Sequence, residues 1–408
     1  MSRVVLGISG GIAAYKACEL LRRLSEAGHD VTVVPTDAAL NFVGATTWAA
    51  LSGNPVATGV FSDVHEVKHV RLGQTADLVL VAPATADVLA RAAHGIADDL
   101  LGNVLLTASC PVVFAPAMHT EMWEHPATRA NVEVLRQRGT MVIDPASGRL
   151  TGADSGAGRL PEAAELAATA EAVLAGGIPA RDLSGRRVVV TAGGTRELLD
   201  PVRFLGNRSS GKQGYALAAA ARDRGAEVVL VAANSSLPDP AGVEVVHVVS
   251  AADLQREVGS RAGAADAIVM AAAVADFRPA TYAAAKLKKV DGQEGLTLHL
   301  TRNDDILAGL VAARAAGAQG VREPLLVGFA AETGDAEASA LEHARRKFRA
   351  KGCDVLVANE VGDGLAFEVE RNAAVIITAD AEFDVPLTSK RRLADAVWDV
   401  AGTTAGWA

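Results

Sequence analysis

RVVLGISGGIAAYKACELLRRLSEAGHDVTVVPT, residues 3–36, has the pattern of a strand, a helix and a second strand. Residues 3–9 and 30–36 are short runs rich in Val, Leu and Ile, which predict buried strands. In residues 13–28 apolar side chains recur every three or four positions, and a glycine ends the run, as expected for a helix. Because a helix that connects two strands of one sheet makes them parallel, the segment predicts a parallel sheet covered by helices.

The same alternation continues along the chain. Further strands are predicted at 78–84, 111–117, 141–146, 185–195, 226–234, 243–250, 265–277, 323–333, 354–360 and 373–378, with a helix at 211–225. The pattern restarts after a Gly/Pro/Ser-containing segment near residue 183. We therefore predict an α/β protein with two Rossmann-like domains of mainly parallel sheet, residues 1–183 and 184–408.

Composition disfavours several classes of protein. Of the 408 residues 50% are hydrophobic, and the net charge of −9 argues against binding of nucleic acid. No stretch approaches the roughly 20 apolar residues of a membrane span, and the first residues do not resemble a signal peptide. Cys18, Cys110 and Cys353 are too far apart in the chain for a disulfide framework or a zinc site, so we expect a cytoplasmic protein.

Three loops of the first half are candidate ligand sites because each lies at the end of a predicted strand. Ser9, Gly10 and Gly11 separate the first strand from its helix, where backbone N–H groups can bind a phosphate. A tight turn without a ligand explains the glycines equally well. Thr36 ends a second predicted strand, and Thr85 follows a third. The spacing is not GxGxxG, which disfavours a nicotinamide dinucleotide.

His69 and the loop PAMHTEMW (116–123) complete the candidates of the first half. A single histidine is more often structural than catalytic. Met118, His119 and Met122 either fill the core or cover a bound ring or substrate.

The second half contains two glycine-rich turns. Gly193 and Gly194 follow a strand. The segment NRSSGKQG, 207–214, opens a helix, and Ser209, Ser210, Gly211 and Lys212 suit an anion site. A plain helix cap is the alternative. The segment lacks the GxxxxGK[ST] pattern of a nucleotide-binding P-loop.

Other polar residues follow later strands. Asp276 precedes a lysine cluster that begins at Lys286, which is either a solvated surface or an anion site. Asn303, Asp304, Asp305 and Ile306 form a predicted helix start, and Phe329 ends a strand where it could stack on a base. Lys347 and Lys351 share one helical face.

The ordered motifs SGGIAAYK, TDAA, HVRL, PATAD, GIADDLL and PAMHTEMW, within residues 1–170, resemble flavin-dependent decarboxylases of the phosphopantothenoylcysteine type. The resemblance implies FMN, a trimeric flavoprotein domain, and hydride transfer to the flavin before CO2 leaves. It makes His69 the catalytic histidine. Flavin-binding positions are Ser9, Gly10, Gly11, Thr36 and Thr85, and substrate-binding positions are Met118, His119, Met122, Asp154 and Arg159.

Two positions depart from that family. His119 stands where the family has asparagine, and Gly152 stands where the substrate flap has a cysteine. The missing thiol requires another proton donor for the final reduction. Its absence leaves open an enzyme that stops at the oxidised enethiol.

The motifs TAGGTRE, DPVRF, NRSSGKQG, AAAVADFRP, KLKK, NDDI, GFAAET and VAN, within 185–395, look like those of phosphopantothenate–cysteine ligases. The resemblance implies CTP, Mg²⁺, an acyl-cytidylate intermediate and a dimeric domain. Catalytic positions are Asn207 and Lys286. CTP-binding positions are Asp276, which also serves the metal, Lys286, Asn303, Asp304, Asp305, Ile306, Phe329, Lys347 and Lys351.

Together the halves predict a bifunctional enzyme of coenzyme A synthesis that uses 4′-phosphopantothenate, cysteine and CTP. Trimeric flavin domains joined to dimeric ligase domains imply a homo-oligomer, a dodecamer. The rival interpretations are an active ligase fused to an impaired or regulatory flavin-binding domain, and a nicotinamide-dependent oxidoreductase.

Overall fold

The structure is a computed structural model. It describes residues 1–56, 68–150, 154–288, 295–317, 323–332, 334, 338–360 and 371–407. The chain forms two compact units, Met1–Ala180 with Pro240–Gly242, and Arg181–Asp239 with Val243–Ala408.

The first unit is built on a five-stranded parallel sheet with the order β2-β1-β3-β4-β5. Its strands are β1 (Arg3–Ile8), β2 (Asp30–Pro35), β3 (Leu78–Ala84), β4 (Val112–Pro116) and β5 (Met141–Val142), with a separate hairpin of β6 (Ala146–Arg149) and β7 (Ser155–Arg159). Its helices are α1 (Ala17–Glu26), α2 (Ala45–Ser52), α3 (Lys68–Thr75), α4 (Ala86–His94), α5 (Leu100–Thr107), α6 (Thr120–Glu124), α7 (Pro126–Gln137) and α8 (Ala163–Gly176), with 3-10 turns at Ile12–Lys16 and Ala39–Asn41. Apolar clusters cover both sheet faces.

The second unit has an eight-stranded sheet with the order β12-β11-β8-β13-β16-β17-β18-β19. Its strands are β8 (Arg187–Gly193), β11 (Glu227–Ala233), β12 (Glu244–Val248), β13 (Ala267–Met270), β16 (Leu325–Glu332), β17 (Val355–Glu360), β18 (Arg371–Ile377) and β19 (Glu382–Ser389), and two short ribbons pair β9 (Arg196–Leu198) with β10 (Phe204–Gly206) and β14 (Phe277–Pro279) with β15 (Leu300–Arg302). Its helices are α9 (Lys212–Asp223), α10 (Ala251–Ala262), α11 (Ile306–Ala315), α12 (Ala340–Lys351) and α13 (Lys390–Thr404).

Helices cover both faces of this second sheet. The apolar sides of α9 and α13 pack on one face, and those of α10, α11 and α12 pack on the other. The last two pairings are antiparallel, between β17 and β18 and between β18 and β19, so β18 alone runs opposite to the other strands of this sheet. The predicted class, α/β with two mainly parallel sheets, is confirmed. Among the described residues, no helix combines the length and apolar character needed to cross a membrane.

Several predicted elements are shorter than their apolar runs. The strand expected at 265–277 ends at Met270, and the one expected at 141–146 ends at Val142. In both cases the apolar run continues beyond the last residue that pairs with a neighbouring strand, so composition overstates the length. The helix expected at 13–28 is a 3-10 turn followed by α1.

Candidate active sites

The first candidate site lies where the order of the first sheet reverses, between β1 and β3. In open α/β sheets ligands bind at the carboxyl ends of strands at such a point. Ser9, fully buried, joins the two strands there. Its hydroxyl donates to the Pro83 carbonyl at 2.7 Å and accepts from the Thr85 N–H at 2.9 Å. Ser9 therefore shapes the site by holding two loops together.

The loops at this point leave donors for an anionic group. In the described part of the chain, the N–H groups of Gly10 and Gly11 have no acceptor. The Thr85 hydroxyl caps α4 by accepting from the Val88 N–H at 3.4 Å. Thr36 similarly accepts from the Ala39 N–H. Free N–H groups beside a helix start suit a phosphate, so these residues fit the phosphate of a flavin mononucleotide.

His69 lies in α3 rather than in these loops. The Thr107 hydroxyl of α5 donates to the His69 carbonyl at 3.0 Å. The ring Nδ1 is buried and has no hydrogen-bond partner among the described residues. A buried imidazole nitrogen without a partner can bind a ligand or move a proton. The contacts do not connect it to Ser9 or Thr85.

The residues for which the resemblance implies a substrate flap lie in the β6–β7 hairpin, which contacts residue 118 just before α6. The Met118 N–H donates to the Gly158 carbonyl at 2.9 Å. His119 and Asp154 are exposed, whereas Arg159 is half-buried and faces Glu162 at 3.3 Å. Met122 is 47% exposed. Gly152 lies outside the described residues.

The second candidate site lies where the second sheet reverses, between β8 and β13. A cavity of about 850 Å³ opens there, large enough for a nucleotide and part of a second substrate. It collects residues that the sequence indicated from widely separated segments, namely Asn207, Ser209, Ser210, Gly211, Lys212, Asp276, Asn303, Asp304, Asp305, Ile306, Phe329, Lys347 and Lys351. Gly193, Gly194 and Lys286 are outside its lining.

Gly193 and Gly194 pack closely against the backbone of segments next to the cavity. Gly193 has a φ of 82°, and a Cβ there would lie 2.0 Å from the Ala233 carbonyl oxygen. A Cβ at Gly194 would lie 2.8 Å from the Asn207 carbonyl oxygen. This turn therefore packs directly beneath the 207–211 loop. Its glycines serve close backbone packing within the protein.

The floor of the cavity is a polar loop network. The Asn303 side chain donates to the Ala275 carbonyl at 2.8 Å and accepts from Arg278 at 2.8 Å. Asn207 donates to the Val274 carbonyl at 3.2 Å. These bonds fix the loop that carries Asp276.

An ion pair ties two helices together at the side of the cavity. The Lys351 ammonium, at the end of α12, contacts the carboxylate of Asp305, which caps α11 by accepting from the Ala308 N–H. Burial opposes the charge of Asp305. The contacts with Lys351 and Ala308 outweigh burial, so the pKa of this carboxyl is lowered. Lys351 is therefore held in place at the cavity wall.

Several lining residues are not among the predicted site residues. Among them, Gln213 and Asn359 lie within the NRSSGKQG and VAN motifs, whereas Asn372 and Lys390 lie outside every motif quoted above. The Gln213 amide donates to the Lys390 carbonyl at 3.1 Å, which joins the first turns of α9 and α13. The apolar pattern of β18 and the helix start of α13 are visible in the sequence. They do not show that this strand and this helix lie beside the cavity.

Side-chain oxygen atoms that can bind a hard cation line the cavity. In the described part of the chain, these side chains do not surround a metal ion by themselves. Among the described residues, no group of three or more His, Cys, Asp or Glu side chains can hold a metal ion. Mg²⁺ is commonly bound by one or two carboxylates together with substrate phosphates. Asp276 fits that arrangement because it lines the cavity.

Comparison with known proteins matches both halves. Residues 1–174 match the Flavoprotein family model, and residues 183–403 match the model described as the DNA/pantothenate metabolism flavoprotein C-terminal domain. The coenzyme A biosynthesis bifunctional protein CoaBC of Mycolicibacterium smegmatis is 62% identical over 93% of this chain and 91% of that protein. The CoaBC proteins of Vibrio cholerae and Bacillus subtilis are 43% and 44% identical, over 97% and 95% of this chain and 96% and 93% of theirs. The chain therefore belongs to the family of coenzyme A biosynthesis bifunctional proteins, enzymes with phosphopantothenoylcysteine decarboxylase and phosphopantothenate–cysteine ligase activities.

Proposed function

We propose that residues 184–408 ligate 4′-phosphopantothenate to cysteine with CTP, and that residues 1–183 decarboxylate the product to 4′-phosphopantetheine with FMN. The assignment is supported by the convergence on one cavity of residues from 207–212, 276, 303–306, 329 and 347–351. These residues are far apart in the sequence. Their placement around one space at the sheet switch point fits a site for two substrates.

The ligation chemistry needs positioning and positive charge. A carboxylate is a poor electrophile, so its oxygen attacks the α-phosphorus of CTP. Pyrophosphate leaves, and the product is an acyl-cytidylate. The cysteine amine then attacks the acyl carbon, loses a proton and expels CMP. Holding the reactants together and neutralising phosphate charge lower both barriers.

Each cavity residue has a role in this scheme. Lys347 and Lys351 face the triphosphate, and Phe329 stacks on the cytosine. Asp276 would hold Mg²⁺, which would supply positive charge for the phosphates. Asn207 orients the acyl intermediate, and Lys286 moves towards the phosphates during transfer. The start of α9 at Ser209–Lys212 accepts a second anionic group.

The decarboxylase half depends on residues around the β1/β3 switch point. Gly10 and Gly11 bind the flavin phosphate, while Ser9 and Thr85 shape the loops around it. FMN, when bound, supplies two-electron redox chemistry at the cysteine-derived carbon. His69 holds or moves a proton through its imidazole, whose Nδ1 is buried. Arg159 and His119 bind the substrate beside the flap.

Separate variants test the assignment. His69→Ala should stop CO2 release from 4′-phosphopantothenoylcysteine but leave CTP-dependent pyrophosphate release unchanged. Asn207→Ala should do the reverse. Loss of both activities in either folded variant would contradict two separate sites. If the parent enzyme releases pyrophosphate but never CO2, the alternative of an active ligase joined to an impaired or regulatory flavin-binding domain is correct.

We further propose a dodecamer built from trimeric flavoprotein domains and dimeric ligase domains. Closed symmetry allows both interfaces to be satisfied in one particle. Light scattering of the purified protein tests this, and a mass of one to three chains would contradict it.

A further inference from the structure

The turn between β9 and β10 contains a carboxylate that the proposed chemistry does not use. Asp200 is fully buried. Its Oδ1 accepts from the N–H groups of Val202 and Arg203, both at 2.8 Å. Its Oδ2 accepts from the Arg203 guanidinium at 2.7 and 2.9 Å. Burial opposes the charge of Asp200, but these hydrogen bonds outweigh it and lower its pKa.

The same pair holds the chain next to Lys286. The Leu287 N–H donates to Asp200 Oδ2 at 3.1 Å, and Arg203 Nη2 donates to the Leu287 carbonyl at 2.5 Å. The Ala283 N–H also donates to the Leu199 carbonyl at 3.0 Å. Both backbone polar groups of Leu287 are thus bound by one ion pair. The residue immediately before it, Lys286, is exposed.

The other end of this hairpin leads into the cavity. β10 ends at Gly206, and Asn207, which follows, lines the cavity and bonds to the Val274 carbonyl. One short hairpin therefore connects the backbone at Lys286 with the backbone at Asn207.

We propose that Asp200 is a positioning residue for ligation, which fixes the Lys286 segment relative to Asn207 through the Leu287 peptide. This inference rests on the proposed role of Lys286. For this purpose Asp200 must carry its negative charge, and the Arg203 guanidinium must balance that charge. Because Arg203 and three N–H groups occupy its oxygens, Asp200 does not capture the Lys286 ammonium, which stays available for the phosphates.

Asp200→Asn tests the role, because an amide of the same shape presents a donor where Asp200 accepts. The kcat for ligation should fall by about 10- to 100-fold, the scale of a small misplacement of a reacting group. The KM for CTP should change little, since the residues lining the cavity remain. CO2 release from added 4′-phosphopantothenoylcysteine should be unchanged, because that activity belongs to residues 1–183, and the unchanged KM for CTP shows that the second unit is folded.

A double-mutant cycle separates positioning from general destabilisation. In a Lys286→Gln background, Asp200→Asn should cause no further loss of the residual rate. An equal loss in both backgrounds would overturn the inference. So would a normal kcat for Asp200→Asn alongside an impaired Lys286→Gln. If Lys286→Gln itself ligates normally, the role proposed for Lys286 is wrong instead.

Two further variants complete the experiment. Arg203→Met removes the partner of Asp200 in the ion pair. It keeps the role testable if Asp200→Asn fails to fold. In the double variant, the loss of kcat should be no larger than in Asp200→Asn alone. Asp253→Asn is the matched control. Asp253 also accepts from a backbone N–H and an arginine, at Ser250 and Arg256, but it does not line the cavity. Its ligation kcat should stay within about twofold of the parent.

Discussion

Arg391 and Asp223 form an ion pair buried between α13 and α9, with Nη1 and Oδ2 2.6 Å apart. The Arg222 guanidinium contacts the same carboxylate at 2.6 Å. The Asp223 side chain is 1% exposed. Burial opposes its charge, yet the two guanidinium groups lower its pKa. The pair fixes the start of α13, where Lys390 reaches the cavity.

Asp223→Asn should destabilise the second unit by about 3–5 kcal/mol, because it removes the charged carboxylate that two buried guanidinium groups share, and Arg391 keeps only its longer contact with Asp395 at 3.3 Å. Urea unfolding measures the loss. The control is Glu227→Gln, which breaks the exposed pair with Arg187 and should cost at most about 1 kcal/mol. Equal losses would show that the buried pair has no special role.

Ser9→Ala should weaken flavin binding and lower the stability of the first unit. It removes a buried donor to the Pro83 carbonyl and an acceptor for the Thr85 N–H, at a cost of about 1–3 kcal/mol. Flavin absorbance per chain and the Tm report the two effects. Ser25→Ala is the matched control, since its buried hydroxyl has no partner in the described structure and its loss should be nearly neutral.

Gly193→Ala should destabilise the turn behind the cavity by about 1–3 kcal/mol or more. The added methyl would lie 2.0 Å from the Ala233 carbonyl oxygen, at a φ that L-residues avoid. Gly259→Ala, in α10 with open space around it, should instead stabilise by roughly 0.5–1 kcal/mol. A change of the same sign in both variants would contradict this explanation.

Asp305→Asn should reduce the pH dependence of stability in acid. The pKa of Asp305 is lowered from its ordinary value of 3.8, so its contact with Lys351 stabilises the fold fully above that value. The contribution is lost as the pH falls through the lower pKa of the folded state. The Tm difference between parent and variant should therefore be largest near neutral pH and shrink below about pH 4. A constant difference would show that Asp305 acts only through packing.

The sequence alone determined the fold class and the positions of most strands along the chain, because burial on both faces of a parallel sheet produces apolar runs that few other structures require. It also placed Ser209–Lys212 at a helix start and Asn303–Ile306 before another, since caps and glycine turns depend on local backbone geometry.

Tertiary structure decided which of those residues share one space. Phe329 and Asp276 meet at one cavity because the parallel strands β13 and β16 bring their carboxyl ends to a single edge, and Lys347 joins them from helix α12. It also assigned Ser9, Gly193 and Asp200 to packing and positioning, which no local pattern reveals, because their partners Pro83, Ala233 and Leu287 lie some 40 to 90 residues away. The local sequence pattern indicates which roles a residue can have. Its long-range hydrogen bonds and packing contacts determine which of these roles it has in the folded protein.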